Sequence, residues 1–563
     1  MPEKDTNKPA TIKVVLTLDS SLSIPVAEAV QQVTTALNEV VWSLGIPGKV
    51  ELDLQYQALL ESVREQLLTL TVSGRICRYP TVLLEQVRSY LCDRLPEGEI
   101  SHADTAAWLK TETGSIIIPE FLAMTCAEIV KLQPACLLDK VTCHAYRASL
   151  LAADGIAETG MEIPDTTWLQ PVLQRLLELR LPLSSLTEIA RAVSTFRTRI
   201  AEDIIEELIA VLSSRVIELH LPLAYLQWLT NSNEQRAPEQ LGSIRTTMRD
   251  ESGLIYPALK FVIDEALRPN SFAIKINALL VLPQIGLKAG EYLVDETPNR
   301  LEQLNINAQP VLNPATLLPG SVAPQPDDPA VLINAGLTMR NAAGYMALSC
   351  IASLREYAGC FVRRDVVENL LSPQAYWNQT LTVAMRNLLS IEACTRILRD
   401  LVAEGINLRY WRLILEAIID GCMDKERVSQ HEQLLQFVRH RLQRVLSHKY
   451  ACGTDTLVAY LLDTDIETCL AQRVDITDET SSLVDEDEQI IAAVQAELKH
   501  LPPTVKLPVV LTTDTVRTKL AVLLKLVFPR LSVIAHDDLI PNLNVQSLAR
   551  IGLSLRWFLA GSR

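Results

Sequence analysis

The sequence predicts a multi-subdomain α+β protein that is predominantly helical and built as a diverged tandem duplication. Three observations lead there. The 563 residues are 48% hydrophobic and 21% charged, which supplies several compact cores and excludes disorder of the whole chain. Aromatic residues make up only 5%, so Leu, Val, Ile and Ala must fill those cores, a mixture that favours helices with some strands. A helical hairpin pattern recurs 225 residues downstream of its first appearance.

The recurrence is ungapped. Val172–Ile189 and Ile397–Ile414 both read as helix, short break, helix. Apolar positions coincide at 172/397, 173/398, 176/401, 177/402, 181/406, 183/408, 186/411 and 189/414. Upstream, Cys126 and Cys136 match Cys350 and Cys360 at an offset of 224. Further upstream, Leu44-Gly45-Ile46-Pro47 resembles Gly253-Leu254-Ile255-Tyr256-Pro257, and strand-like residues follow each, at 66–72 and 272–278. A spacing above 200 residues means duplicated domains, not a solenoid.

Other segments divide the chain. Pro310, Pro314, Pro319, Pro324, Pro326 and Pro329 predict an extended loop over 309–329. Residues 475–488, with Asp475, Asp478, Glu479, Asp485, Glu486, Asp487 and Glu488, predict an acidic loop before a helix from Gln489 to His500. Pro508–Leu511, Asp514–Val527 and Leu531–Ile534 alternate as strand, helix, strand, a small α/β subdomain. The expected domains are therefore 1–222, 223–450 and 451–563.

Charge and motifs narrow the function. The net charge is −15, which opposes general binding to nucleic acid phosphates. Mean hydropathy is +0.16, yet no uncharged apolar run approaches the ~20 residues of a membrane span. The best, from Ile116 to Cys126, carries Pro119 and Glu120. The N-terminus lacks a signal-peptide layout, so a cytoplasmic protein is expected. Eleven cysteines include no CxxC pair and read as reduced buried thiols. No phosphate-binding loop, HExxH or GxSxG motif occurs, so neither catalytic, metal nor cofactor residues are expected. His431, His440 and His448 fall on one predicted helix, 426–450, and read as solvated polar positions. His536-Asp537-Asp538 reads as a structural turn. Arg439, Arg441 and Arg444 on that helix form a basic face suited to an electrostatic contact with a protein.

Several segments of the second repeat resemble the cytoplasmic domain of the FHIPEP family, the export-gate proteins of flagellar and injectisome type III secretion. Gly253–Pro257 resembles the family's strand entry, and Asn270–Ile276 its following strand. Cys360–Leu371 resembles a helix region of the family. Leu398–Asp420 is similar to its helical hairpin, the most specific match. Pro508–Leu511, Pro529–Ile534 and Asp538–Pro541 resemble its C-terminal subdomain. The resemblance covers 252–553 well and 11–222 weakly, so the first domain is expected to be a degenerate copy. The family's polytopic membrane half has no counterpart here, and Asn341–Tyr345 and Leu317–Gly320 depart from its motifs.

The resemblance implies a non-enzymatic, cytosolic protein-interaction component of type III export. Its implied partners are export substrates, chaperones and other export-apparatus subunits, with a homo-oligomer or ring and peripheral recruitment to the inner membrane. Tyr345, Tyr357 and Phe361 lie near the segment matching the family's docking groove and are the candidate partner-binding residues. The competing reading is a stand-alone scaffold that kept the fold without a secretion role.

Overall fold

The computed structural model describes residues 10–22, 24–57, 67–80, 82–92, 102–153, 161–231, 236–316, 319–324, 334–371, 379–424, 430–473, 481–501, 505 and 507–553. Helix accounts for 54% and strand for 18%. The elements run β1 (Thr11–Asp19), α1 (Val26–Ser43), β2 (Lys49–Gln57), β3 (Leu68–Val72), β4 (Arg75–Cys77), α2 (Leu83–Leu91), α3 (His102–Leu109), α4 (Glu112–Leu132), α5 (Lys140–Ala152), α6 (Thr166–Glu178), α7 (Leu186–Val193) and α8 (Ala201–Leu212). They continue with β5 (Val216–Leu221), α9 (Leu223–Asn231), α10 (Ala237–Ser252), β6 (Ala258–Ile263), β7 (Ser271–Ile276), β8 (Leu279–Leu280), β9 (Gln284–Ile285), β10 (Glu291–Val294), α11 (Pro298–Glu302), β11 (Gln309–Leu312), β12 (Pro319–Pro324) and β13 (Met339–Arg340). Then follow α12 (Ala342–Glu356), α13 (Arg364–Leu370), α14 (Gln379–Leu388), α15 (Ile391–Ala403), α16 (Trp411–Met423), α17 (His431–Arg441) and α18 (Gln443–Tyr450). The last are β14 (Thr456–Leu462), α19 (Thr464–Gln472), α20 (Ser481–Leu498), β15 (Val509–Thr512), α21 (Asp514–Lys525), β16 (Ser532–Ala535) and β17 (Asn544–Ile551).

The chain divides into two compact units. The first takes the described residues up to 77, 82–374 and 390–409; the second takes 78–81, 375–389 and 410 onward. No helix of the described residues is long and apolar enough to cross a membrane. The apolar run at 116–126 lies in α4, where Ile118, Phe121, Leu122 and Cys126 are buried.

Two sheets of the first unit share one topology. Alternation in β1 buries Ile12, Val14, Leu16 and Leu18 on one face. β1 pairs in parallel with β2 and antiparallel with β3, giving the order β2-β1-β3-β4. β5 pairs in parallel with β6 and antiparallel with β7, giving β6-β5-β7-β8, with β9 also on β7. The strand Val216–Leu221 is thus internal to the second sheet, so the expected boundary at 222 moves to its N-terminal side. The α1 crossover buries Ala29, Val33, Leu37 and Val40 at helical spacing.

The repeated hairpins end alike. Asp165 caps α6 by accepting the Trp168 N–H at 3.0 Å, and Ser390 caps α15 by accepting that of Ala393 at 3.1 Å. At the other end, Arg180 and Gly405 are both left-handed, with φ of 58° and 73°. Leu181 N–H donates to Leu176 O at 3.0 Å, and Ile406 N–H to Leu401 O at 2.9 Å, the same closing bond. Gly45 and Gly253, also left-handed, end the crossover helices against these hairpins. A Cβ would lie 2.5 Å from Ser184 N at Gly45, and 2.6 Å from Arg409 N at Gly253. Ser184 and Arg409 are themselves 225 residues apart.

The two halves of this unit are joined by polar contacts. Asn277 Nδ2 donates to Leu179 O at 2.7 Å, and Ala278 N–H to Arg180 O at 3.0 Å. Glu206 on α8 and Arg399 on α15 form a bidentate pair, each 2% exposed, with one arm at 2.7 Å. Arg399 also donates to Val362 O at 2.8 Å and 3.2 Å, so the buried cation is fully engaged.

Among the described residues, the proline-rich segment holds two strands where an extended loop was expected. β11 and β12 pair antiparallel and join the order β11-β12-β10-β13. Pro310 sits on the edge strand, and Pro319 and Pro324 stand at the two ends of β12, positions where a missing N–H costs little. Pro326 and Pro329 lie outside the described residues.

In the second unit, β14–β17 form an all-parallel sheet of order β16-β15-β14-β17, covered by α19, α20 and α21. The expected strand–helix–strand tail is its β15–α21–β16 part; β14 and β17 complete it. α20 starts at Ser481, earlier than Gln489, so Asp485–Glu488 are helical. Carboxylates near a helix N-terminus are favoured there, and Arg473 pairs with Glu486 and Asp487. Asp475, Asp478 and Glu479 lie outside the described residues. The helix expected over 426–450 is two, broken at Leu442.

Glu206→Ala strands Arg399 in the core and is expected to cost about 3–5 kcal/mol, while the double change Glu206→Leu/Arg399→Met recovers most of it. Urea unfolding of the three proteins measures this. Gly253→Ala is expected to destabilise by at least about 1 kcal/mol, because both φ and the approach to Arg409 exclude a methyl group.

Candidate interaction site

The three candidate aromatics belong to the first unit. Asn341 caps α12 by accepting the Gly344 N–H at 2.9 Å, which sets Tyr345 in the first turn. Its ring turns inward, 5% exposed, edge-on to Phe272 of β7 at 6.3 Å. Phe361 ends the 3-10 turn Ala358–Phe361, 6% exposed, 4.9 Å from the Tyr256 ring. Tyr357 lies under the Arg180 guanidinium, 3.8 Å above its ring, and its hydroxyl accepts from Nη2 at 2.8 Å. Burial pushes the Tyr357 phenol far up; the Arg180 charge opposes this only in part.

Tyr345 and Phe361 therefore offer a partner no surface in this conformation, a correction to their expected exposure. Their sequence position near a docking-type segment does not report which way the rings turn, and in an aromatic-poor chain the core claims them first. Tyr357 instead joins the two halves of the unit. Its partner Arg180 escaped notice, although the hairpin alignment sets it opposite Gly405. A non-glycine residue there holds a left-handed conformation and is secured by its own side-chain contacts.

The basic candidates belong to the second unit. Arg439 is 2% exposed and pairs with the buried Asp538, Nη2 to Oδ2 at 2.5 Å and Nε to Oδ1 at 3.3 Å. Asp538 also accepts the Ala535 N–H at 3.2 Å. Arg439 is thus a core cation and not part of a solvated face, another correction. It shares the buried side of α17 with Leu434 and Val438, one helical turn apart. Arg441 and Arg444 are exposed, and Arg441 pairs with Asp420. His536-Asp537-Asp538 is a 3-10 turn, and its last residue is the Arg439 partner.

His440, beside Arg439, meets Asp514 at the start of α21 at 2.8 Å, Nε2 to Oδ2. Asp537 completes a group whose three ligand atoms lie within 4.8 Å of one another. Among the described residues, this is the group placed closely enough to share a cation. Its evident chemistry is a proton-dependent link. The hydrogen bond to Asp514 raises His440, aided by the charges of Asp514, Asp538 and Asp537 and opposed by partial burial. Partial burial raises Asp514, but His440 outweighs it and the net shift is downward.

The signs give a pH window. The His440 contribution is complete below the ordinary histidine value of 6.5 and is lost as pH rises through its raised value. The Asp514 contribution is present above 3.8 and is lost as pH falls through its lowered value. Raising the pH from about 6 to about 8.5 is expected to remove roughly 0.5–1 kcal/mol from the second unit, and His440→Gln abolishes that loss. Arg439→Met should destabilise far more than Arg444→Ala. Unfolding scans at the two pH values check both statements.

Comparison with known proteins places this architecture. The model of the FHIPEP family matches residues 190–544. Low calcium response locus protein D of Yersinia pestis is 27% identical over 335 residues, covering 57% of this chain and 46% of its own length. Flagellar biosynthesis protein FlhA of Bacillus subtilis is 22% identical over 324 residues, covering 56% and 46%. The chain spans about half the length of these curated relatives. Among solved structures, Chlamydia pneumoniae CdsV has a TM-score of 0.53 and 21% identity, over 60% of this chain and 98% of that one. CdsV is also solved in a complex with CdsO. About three fifths of this chain thus shares the fold of nearly all of the solved CdsV chain, and the family match spans well over half of this sequence: the chain belongs to the FHIPEP family.

Proposed function

We propose that the chain is a non-enzymatic, protein-docking component of type III export, composed of two diverged copies of the FHIPEP cytoplasmic fold. The observation that carries the family role is the match over residues 190–544, which takes in the second sheet, the α15 hairpin arm and strands β14, β15 and β16 of the parallel C-terminal sheet. The chain docks export substrates, their chaperones or other subunits of the apparatus, and it associates with further copies of itself. The complex of CdsV with CdsO supports a protein partner, since its CdsV chain shares this fold.

The duplication is supported by three independent features. The strand order and sense of the two sheets agree. The helix caps at 165/390 and 180/405 agree in position and bonding. The left-handed glycines 45 and 253 abut hairpin residues at that same offset. Convergence on a common sheet topology is ordinary; convergence on the same cap and approach positions is not.

The chain, tagged in its native cell, cross-linked and purified, is expected to bring down export-apparatus subunits identified by mass spectrometry. Recovery of none of them, under conditions that retain the intact apparatus, would overturn the export role and leave the scaffold reading. Sedimentation of the purified chain checks self-association; a single monomeric species across the micromolar range would contradict it.

A further inference from the structure

Two cysteines far apart in sequence meet in the fold. Cys77, the last residue of β4, opposes Leu70 of β3 and is 2% exposed. Cys136 lies in the 3-10 turn Pro134–Leu137 and is half-buried. Their sulfurs are 3.6 Å apart, although the residues are 59 positions apart in sequence. Both are free thiols.

The other half of the unit supplies a comparison. Val281 occupies the place of Cys77: its N–H bonds Ile274 O at 2.8 Å, in register with the β7–β8 hairpin. Cys360 occupies the place of Cys136, within the turn Ala358–Phe361. Cys126 and Cys350, also equivalent, are both fully enclosed on their helices, and burial pushes each thiol up to about 12. Cys126 and Cys350 thus serve as core in both halves, whereas the place of Cys77 holds a cysteine in the first half and Val281 in the second.

We propose that Cys77 and Cys136 form a redox modification site, in which a hydroperoxide converts the pair to a disulfide that ties β4 to the helical layer. Cys77 is the more enclosed residue of the two, so the oxidant, reaching the pair when the turn Pro134–Leu137 opens, meets Cys136 first. The Cys136 sulfur attacks the terminal peroxide oxygen, the O–O bond breaks, the alcohol leaves carrying the thiol proton, and Cys136 becomes a sulfenic acid. The Cys77 sulfur then attacks Cys136, the S–O bond breaks, and hydroxide leaves as water with the Cys77 proton. Two thiols and one hydroperoxide give one disulfide, one alcohol and one water.

The geometry suits this step. A disulfide needs about 2.05 Å between sulfurs, so they close by roughly 1.5 Å from a contact already made. β4 is the terminal strand of its sheet and can follow without breaking an internal ladder. The hydrogen bond with Cys77 and burial hold the Cys136 thiol well above its usual range. The site therefore reacts slowly at neutral pH, and its rate rises with pH. Closing a long loop restrains the unfolded chain, so oxidation raises the unfolding temperature of the first unit.

The test uses the full, reduced chain treated with hydrogen peroxide, alkylated and mapped by mass spectrometry. A linked Cys77–Cys136 peptide, two hydrogens lighter than its reduced parts, is expected, with Cys350 and Cys360 still alkylated and full reversal by dithiothreitol. Cys77→Ser should leave Cys136 as a sulfenic acid that dimedone captures. Cys77→Val, which installs the residue of the other half, should abolish the link while preserving the fold by circular dichroism. If the exposed Cys452 is oxidised while Cys77 and Cys136 remain alkylatable, or if Cys136 is overoxidised without linking, the pair is only core packing and the proposal fails. The outcome is independent of the export role.

Discussion

A left-handed glycine pressed against the elbow of a helical hairpin is the constraint on which the first unit depends. It occurs twice, at Gly45 against Ser184 and at Gly253 against Arg409. In each case a crossover helix must stop, reverse and bring its backbone to within a side chain's thickness of another backbone. Only glycine meets both demands, because it accepts the positive φ and presents no Cβ. Once that contact is fixed, the sheet preceding it and the hairpin beyond it have a set relation. Leu183 N–H reinforces the first by donating to Leu44 O at 2.7 Å.

Each unit also holds a buried ion pair. Arg399 with Glu206 and Arg439 with Asp538 are nearly devoid of solvent, and each cation or anion takes further backbone bonds. Such pairs give little net stability but exclude wrong packings, since a shifted helix would leave a charge buried alone. In the first unit, one pair holds α8 on α15. In the second, another anchors α17 on the turn after β16. These are charges that composition alone assigns to the surface.

The parts legible in sequence were those with local signals. The hairpin repeat was visible because the break and the apolar spacing lie within eighteen residues. The β15–α21–β16 run was visible because period-two and helical patterns alternate cleanly. The β11–β12 pairing was hidden because prolines normally deny a strand, and only edge or terminal placement excuses them. The fate of Arg439 was hidden because its partner Asp538 is 99 residues away. Tyr345 and Phe361 were judged by position in sequence, whereas burial depends on which element folds over them. Cys77 and Cys136 carry no short-range motif at all, and their approach is created by the fold.

The central claim is that one family fold was used twice within this chain, the second time in full. An experimental structure tests it most directly, through superposition of residues 11–193 on 216–409. The account predicts that one rigid rotation sets Gly45 on Gly253, Arg180 on Gly405 and Ser184 on Arg409 together with both sheets. Sheets that coincide while the hairpins stand apart by more than a helix diameter, about 10 Å, would contradict it.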